Sequence, residues 1–212
     1  MIIVGAKGFA KELLEILHQN GDTQNLCFYD DVSNDISDVL YGKFRVLRNI
    51  EDVEQYFLKV APNFTIGIGK PKLRYFLYEK FKNIRGGVFT RIISKYAEIG
   101  SFGVEIGEGC NILGGVKISN DVKIGKGTMI YYNSIITHDV EIGDFVEISP
   151  GATLLGRCKI GNMTQIGAGA IIFPDVVVGN NCIIAAGAVV RESVPDNVML
   201  AGVPAVIKKE IK

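Results

Sequence analysis

The chain has 212 residues, 48% hydrophobic and 22% charged, enough apolar material for one large or two small buried cores. Its 23 Lys and Arg balance 23 Asp and Glu, so no basic field is available to hold nucleic acid or an anionic membrane. No apolar run approaches the ~18 residues of a membrane span, and Met1 to Val4 before Gly5 is too short for a signal-peptide core; the expectation is a cytoplasmic protein without nucleic-acid or membrane partners.

In chain order, Met1 to Val4 predicts a strand, Gly5-Ala6-Lys7-Gly8 a turn, and Phe9 to Gln19 a helix with Leu13, Leu14, Ile16 and Leu17 on its apolar face. Leu26 to Tyr29 predicts a second strand ending at Asp30-Asp31, and the polar stretch from Val32 to Arg45 predicts a loop. Phe64 to Ile68 predicts a third strand running into Gly67-Ile68-Gly69-Lys70. The helix that follows, from about Lys72 to Ile84, should bury Leu73, Phe76, Leu77, Phe81 and Ile84. Strands alternating with helices predict a small Rossmann-like parallel sheet, an α/β domain over residues 1–88, whose ligand crevice lies outside the carboxyl ends of its strands. Both glycine turns and the acidic pair fall there. By itself Gly5-x-x-Gly8 is less specific than a full GxGxxG fingerprint, since any tight turn can need glycine.

Residues 89–212 follow a different rule. From Ile106 to Val190 every sixth residue is Ile, Leu or Val, fifteen times without an insertion. Four places after each, from Cys110 to Ala188, stand only Cys, Val, Thr, Ser and Ala. Gly107, Gly125, Gly143, Gly161 and Gly179 add a period of eighteen. Neither an amphipathic helix nor a half-buried strand repeats every six. A triangular solenoid does: each 18-residue coil has three short strands, aliphatic side chains point to the axis, and glycines ease the corners. Coils then stack at the ~4.8 Å spacing of parallel strands. Three of the four cysteines fall in the small-residue series, and none forms a CxxC pair, so they belong to the core. Two histidines are too few for a three-histidine metal site, and no metal is expected.

These hexads resemble the repeat of the left-handed parallel β-helix acyltransferases. The handedness comes from that resemblance alone, because the general rule for parallel crossovers is right-handed. The first turn, the acidic pair, the IGxG turn with Arg74 in the following helix, and then the hexads together resemble the bacterial nucleotide-sugar N-acetyltransferases and sialic-acid O-acetyltransferases of surface-glycan pathways. The resemblance covers nearly the whole chain. It implies that Gly5, Ala6, Lys7, Gly8, Asp30, Asp31, Gly67, Gly69, Lys70 and Arg74 hold a nucleotide-sugar substrate. It also implies that the β-helix binds acetyl-CoA in clefts between the subunits of a homotrimer.

His138 lies two residues after the inward Ile136, which places it on a corner and outside the core. In the resembling enzymes a histidine here is the general base, and the next acidic residue, Asp139 in this chain, orients it. The chemistry agrees: an amine or hydroxyl attacking a thioester must lose a proton, and a neutral imidazole takes it near neutral pH. Gly156 lies one coil beyond His138, and the family places a glycine amide there as donor to the developing oxyanion. No covalent enzyme intermediate is required. Gly167-Ala168 and Ala185-Ala186 match segments where small residues let the pantetheine arm approach the backbone, although each also serves as repeat punctuation. Gly202-Val203-Pro204-Ala205 resembles the family's closing signature beside the CoA adenine, but Val206 stands where a basic residue is common, which shifts a phosphate contact to Lys208 or Lys209 or removes it. Glu147 stands where relatives often carry a second histidine, and Tyr131 where Asn is frequent. A carboxylate at 147 either pairs with a sugar ammonium or is a solvated corner residue.

The expected reaction is therefore acetyl transfer from acetyl-CoA to the amine of a nucleotide-linked 4-amino-4,6-dideoxy sugar. The alternatives are O-acetylation of sialic acid or a related sugar, and a non-catalytic hexapeptide scaffold. A γ-class carbonic anhydrase shares the solenoid but needs three zinc histidines, which this chain lacks.

Overall fold

The structure, a computed structural model, describes residues 1–211. It divides into two compact units, Met1–Ile92 and the chain from Ile93 onward.

The first unit opens with strand β1 (Ile2–Val4), helix α1 (Gly8–Asn20) and strand β2 (Cys27–Tyr29). Strand β3 (Val39–Leu40), strand β4 (Phe44–Leu47) and helix α2 (Ile50–Lys59) follow. Strand β5 (Asn63–Ile66), helix α3 (Pro71–Lys82) and strand β6 (Val88–Phe89) complete it. The sheet order is β3-β4-β2-β1-β5-β6, parallel except for the β3–β4 hairpin. Ile2 and Ile3 of the central strand are fully buried. Helix α1 buries Phe9, Ala10, Leu13, Leu14, Ile16 and Leu17 and stops at Gly21, whose φ of 86° gives the left-handed C-terminal cap.

Four details depart from the sequence reading. The stretch from Val32 to Arg45 is not all loop: it contains β3 and the start of β4. Helix α2 is present, capped by the Asn49 side chain accepting from the Asp52 N–H at 2.8 Å. Helix α3 buries Pro71, Arg74, Tyr78 and Phe81, while Leu73 and Phe76 face solvent. Arg74 accounts for the rotation, since its guanidinium reaches inward to the Ile66 and Ile68 carbonyls at 2.7 and 2.9 Å. The first unit also runs past residue 88, because β6 pairs with β5 and belongs to the sheet.

The second unit is the left-handed β-helix. Its first face includes strands Asn111–Ile112, Met129–Ile130, Glu147–Ile148, Gln165–Ile166 and Ile183–Ile184. The second face carries Lys117–Ile118, Ile135–Ile136, Thr153–Leu154, Ile171–Ile172 and Val189–Val190. The third carries Glu105–Ile106, Lys123–Ile124, Glu141–Ile142, Lys159–Ile160 and Val177–Val178. Each strand pairs in parallel with the residues eighteen positions on, for example Ile136 with Leu154. From Ile112 to Val190 every residue of the sixfold aliphatic series is at most 4% exposed. The antiparallel pair Val198–Gly202 and Ala205–Glu210 closes the end of the first face.

The glycine column has a physical reason other than backbone freedom. Gly107, Gly125, Gly143, Gly161 and Gly179 sit where the third face turns to the first, and a Cβ on Gly125 would meet the Gly143 carbonyl carbon at 2.5 Å. Close approach of the next coil, not a positive φ, demands glycine there. The left-handed positions form columns of their own, one at each corner: Gly109 and Gly127 at this one, Asn133 and Gly151 after the first face, and Asp139 and Arg157 after the second.

Candidate active site

Thr137, His138 and Asp139 form the corner between the second and third faces, directly after Ile135–Ile136. Asp139 has φ of 57°, a conformation that aspartate tolerates better than most residues. Its Oδ2 lies 2.7 Å from His138 Nδ1. A carboxylate there accepts a hydrogen bond from Nδ1–H and holds that tautomer, so the imidazole presents its lone pair at Nε2. Both side chains are about half exposed, and a shallow groove of about 560 Å³ over the second face, past Ser119 and Ile135, ends at His138.

Gly156 stands one coil further along the same corner and is buried. A Cβ there would meet His138 Cε1 at 2.6 Å and Nε2 at 2.8 Å. The imidazole therefore rests on the glycine, and the glycine is what gives it room. The Gly156 N–H has no hydrogen-bond acceptor among the described residues, whereas the neighbouring Arg157 N–H donates to the His138 carbonyl at 3.1 Å. Cys158, two residues on, cannot act as a nucleophile at neutral pH: it is fully buried, and burial pushes its thiol up to about 12.

The other expected residues occupy other parts of the coil. Tyr131 follows the first face, and Gly167-Ala168 and Ala185-Ala186 stack at that same corner, with the Gly187 N–H donating to the Ala168 carbonyl at 2.8 Å. A Cβ on Gly167 would meet the Ala186 nitrogen at 2.5 Å. Glu147 lies on the first face, half-buried, with Oε2 accepting from Gln165 Nε2 at 2.7 Å. One copy of the chain does not bring these residues to His138, which sits on the corner opposite that face. Near the end of the solenoid, Pro204, Ala205, Val206 and Ile207 line a hollow of about 420 Å³ with Arg191. Arg191 is its basic residue; Lys208 and Lys209 do not line it.

In the first unit, Gly5, Asp30 and Gly67 follow β1, β2 and β5, three adjacent parallel strands. Connections leave β1 toward β2 on one side and reach β5 on the other, the arrangement that opens a crevice at the strand ends. Gly5 has φ of 103° and donates to the Tyr29 carbonyl at 2.7 Å. Gly67 faces Ala10 so closely that a Cβ would meet it at 2.6 Å. Ala6 is buried, while Lys7 and Gly8 are exposed at the start of α1. Gly69 and Lys70 lead into α3. Lys7 and Lys70 are the N-cap residues of these helices; neither helix has a capping side chain or an acid in its first turn. Such ends favour anions. Asp30 Oδ1 accepts from the Val32 and Ser33 N–H groups at 3.2 and 2.8 Å. Asp31 bonds the Tyr29 hydroxyl at 2.7 Å and Lys80 at 3.4 Å. Burial raises the Asp31 carboxyl, but Tyr29 and Lys80 outweigh it and hold it below the usual carboxylate range. Arg74, fully buried, supports the strand-end carbonyls from beneath.

Models of the PglD N-terminal domain and of the bacterial transferase hexapeptide match residues 1–81 and residues 121–156 and 157–192, respectively. A histidine-to-alanine variant of GDP-perosamine N-acetyltransferase from Caulobacter crescentus, in complex with CoA and GDP-perosamine, is similar over 99% of this chain and 96% of its own, with 28% identity and a TM-score of 0.90. WeeI from Acinetobacter baumannii is 30% identical over 98% of this chain and 100% of its own, with a TM-score of 0.86. This chain belongs to the bacterial nucleotide-sugar acetyltransferase family of hexapeptide-repeat acyltransferases. The acetyltransferase domain of PglB from Neisseria gonorrhoeae, in complex with acetyl coenzyme A, shares the fold at 24% identity, with a TM-score of 0.86 over 98% of each chain. No curated protein matches the sequence significantly.

In this acyltransferase, no cluster of three or more metal-ligating side chains occurs among the described residues, and no described helix is long and apolar enough to cross a membrane. Several site residues escaped the sequence reading. Arg48 ties down the loop after β2, donating to the Asp30 and Ser33 carbonyls at 3.0 and 3.1 Å, to the Ile36 carbonyl, and to Asp38 at 3.1 Å. Lys80 lies over the Tyr29 ring. Arg157 and Asp175 pair beside the His138 corner. A signal for the last pair existed: bulky Arg157 occupies a left-handed position that is glycine in many other hexads.

Proposed function

We propose that this acyltransferase moves the acetyl group of acetyl-CoA to the amine of a nucleotide-linked 4-amino-4,6-dideoxy sugar in surface-glycan biosynthesis. The observation that carries the reading is the seating of the His138 imidazole on Gly156, with Nδ1 held by Asp139 at 2.7 Å. His138 Nε2 takes the proton from the attacking amine. Asp139 fixes the tautomer and stabilises the imidazolium that forms. The free Gly156 N–H donates to the oxygen that gains charge at the thioester carbonyl. Transfer is direct, since the nearby thiol is buried and protonated.

Acetyl-CoA fits the small residues present. Gly167, Ala168, Ala185 and Ala186 leave backbone within reach of a pantetheine arm, and the hollow between Arg191 and Pro204 suits the CoA nucleotide. Tyr131, Gly167, Ala168, Ala185 and Ala186 lie on the corner after the first face and Glu147 on that face, whereas His138 and Arg191 share the next corner. A homotrimer in which the first corner of one copy faces the second corner of the next unites them. Glu147, half-buried and bonded through one oxygen, is then available to an ammonium on the sugar. The strand-end crevice takes the nucleotide, with the helix starts at Lys7 and Lys70 for its diphosphate and Asp30 and Asp31 for donors on the base or sugar.

Purified protein is assayed for CoA thiol release with acetyl-CoA against UDP-, dTDP- and GDP-linked amino sugars and free sialic acid, alongside His138→Ala. Release with one nucleotide amino sugar, falling ~10²–10⁴-fold in the variant, is the expected result. Release with sialic acid alone makes it an O-acetyltransferase. Full activity in His138→Ala removes the assigned base.

A further inference from the structure

Asp139, Arg157 and Asp175 are three successive charges stacked along one corner at one-coil intervals, one coil after Asp121. All three are left-handed, with φ of 57°, 62° and 62°. Backbone bonds pin their coils together: the Arg157 N–H donates to the His138 carbonyl and the Asp175 N–H to the Gly156 carbonyl, both at 3.1 Å. Arginine is a costly choice in this conformation. Burial does not explain it, because the side chain is 55% exposed.

Arg157 is directed to the far neighbour. Its Nε and Nη2 donate to the two carboxylate oxygens of Asp175 at 2.6 and 2.8 Å, a two-point geometry that fixes the guanidinium plane. Asp139 also lies within its electrostatic reach. With Arg157 so committed, the Asp139 carboxylate remains with His138 Nδ1. Resting on the reading of His138 as the base, we infer that Asp175 is a positioning residue that holds Arg157 off Asp139 and reserves that carboxylate for His138.

Removing Asp175 frees a cation whose next carboxylate is Asp139. The guanidinium then competes for the oxygen that orients the imidazole, and its charge disfavours the imidazolium. Removing Arg157 deletes the cation, and the imidazolium is favoured. Other nearby charges are Asp121, one coil before Asp139 on the same column, Glu141, paired with Lys159 at 3.0 Å, and the Glu98–Lys117 pair at 2.8 Å in the groove that ends at His138. They are unchanged in every variant below.

The two halves of one ion pair should therefore move His138 in opposite directions. Proton NMR on the full chain follows the titration directly, because the protein has two histidines and exposed His18 on α1 is the internal reference. The His138 midpoint should fall in Asp175→Asn and rise in Arg157→Ala, each by roughly 0.2–0.7 pH unit, and the double variant should follow Arg157→Ala. The acid limb of kcat/KM should move with the midpoint. Asp175→Asn should lose about tenfold in kcat, and the added Arg157→Ala should restore most of it. A pair that only stabilised the fold would make both single variants move alike, with no rescue in the double; that result, or an unmoved His138, overturns the inference. Midpoint shifts without any matching change in the rate profile support the clamp and instead locate the failure in the reading of His138 as base.

Discussion

Two corners of the same solenoid carry the same backbone and opposite chemistry. Where the third face turns to the first, each coil's outward N–H is taken by a side chain from the next: Lys126 by Asp144, Asp144 by Asn162, Asn162 by Asn180 and Asn180 by Asp196, at 2.8 to 2.9 Å. The second corner begins alike, with Asn120 accepting from the Phe102 N–H at 3.3 Å. Then the ladder stops, and His138, Gly156 and Pro174 occupy its rungs. Proline above Gly156 offers no side-chain acceptor, so the Gly156 N–H stays open, as the proposed donor to the oxyanion must be. On the proposed reading, the site is made by leaving a structural ladder unfinished.

Alanine at one glycine on each corner separates the two roles and gives the largest effects. At Gly125 the new Cβ would lie 2.5 Å from the Gly143 carbonyl carbon, so backbone must move. Gly125→Ala should cost several kcal/mol, of the ~1–3 kcal/mol order for overpacking or more, while the folded fraction keeps its kcat. At Gly156 the obstacle is the His138 ring, a side chain that can swing aside. Gly156→Ala should melt within a few degrees of the parent and lose roughly a hundredfold in kcat. Urea titration and initial rates on the same preparations check both; a Gly156→Ala protein that unfolds early with kcat intact would reverse the contrast.

How much of this was legible in the sequence depends on what sets each feature. The hexads reveal the solenoid because its core is strictly periodic, and the offset of His138 from Ile136 reveals the corner on which it sits. The rung residues Asp144, Asn162 and Asn180 repeat every eighteen and could have been read the same way. The buried face of α3 could not. Apolar spacing selects Leu73 and Phe76, but Arg74 is drawn inward by two strand-end carbonyls and turns them outward. The β3–β4 hairpin is hidden by polar sequence and strands of two and four residues. Tyr131 and Glu147 resist a one-chain reading because a single copy keeps them away from His138; only in the proposed homotrimer does a corner of another copy meet them.

A smaller effect is expected further along the catalytic corner. Arg191 lies one coil beyond Phe173, with its guanidinium over that ring, on the hollow shared with Pro204 and Val206. Three coils from Thr137 to Arg191 span about 14 Å at the parallel-strand spacing. An extended donor with its thioester at His138 would place its phosphates at that end. Arg191→Ala should weaken CoA binding about tenfold and leave 3′-dephospho-CoA unchanged in calorimetry, whereas Lys208→Ala and Lys209→Ala should change neither. Discrimination lost in the lysine variants alone would return the phosphate contact to the C-terminal strand.

The ladder itself provides the mildest test, because its rungs lie at the surface. The Asn162 side chain takes the Asp144 N–H at 2.8 Å, and its own N–H is taken by Asn180. Deleting one rung in Asn162→Ala leaves the Asp144 N–H to water, since Asn162 is exposed. The loss should be about 1 kcal/mol, with the His138 corner and kcat unchanged. Installing a rung at the other corner is the complementary change. In Pro174→Asn a side-chain oxygen one coil beyond Gly156 can accept its N–H, as Asn180 does for Asn162. Stability should rise or hold while kcat falls, because the donor that the oxyanion needs is now occupied. If kcat survives with the rung in place, the Gly156 amide is not the donor, and the open position on this corner serves only to make room for the imidazole.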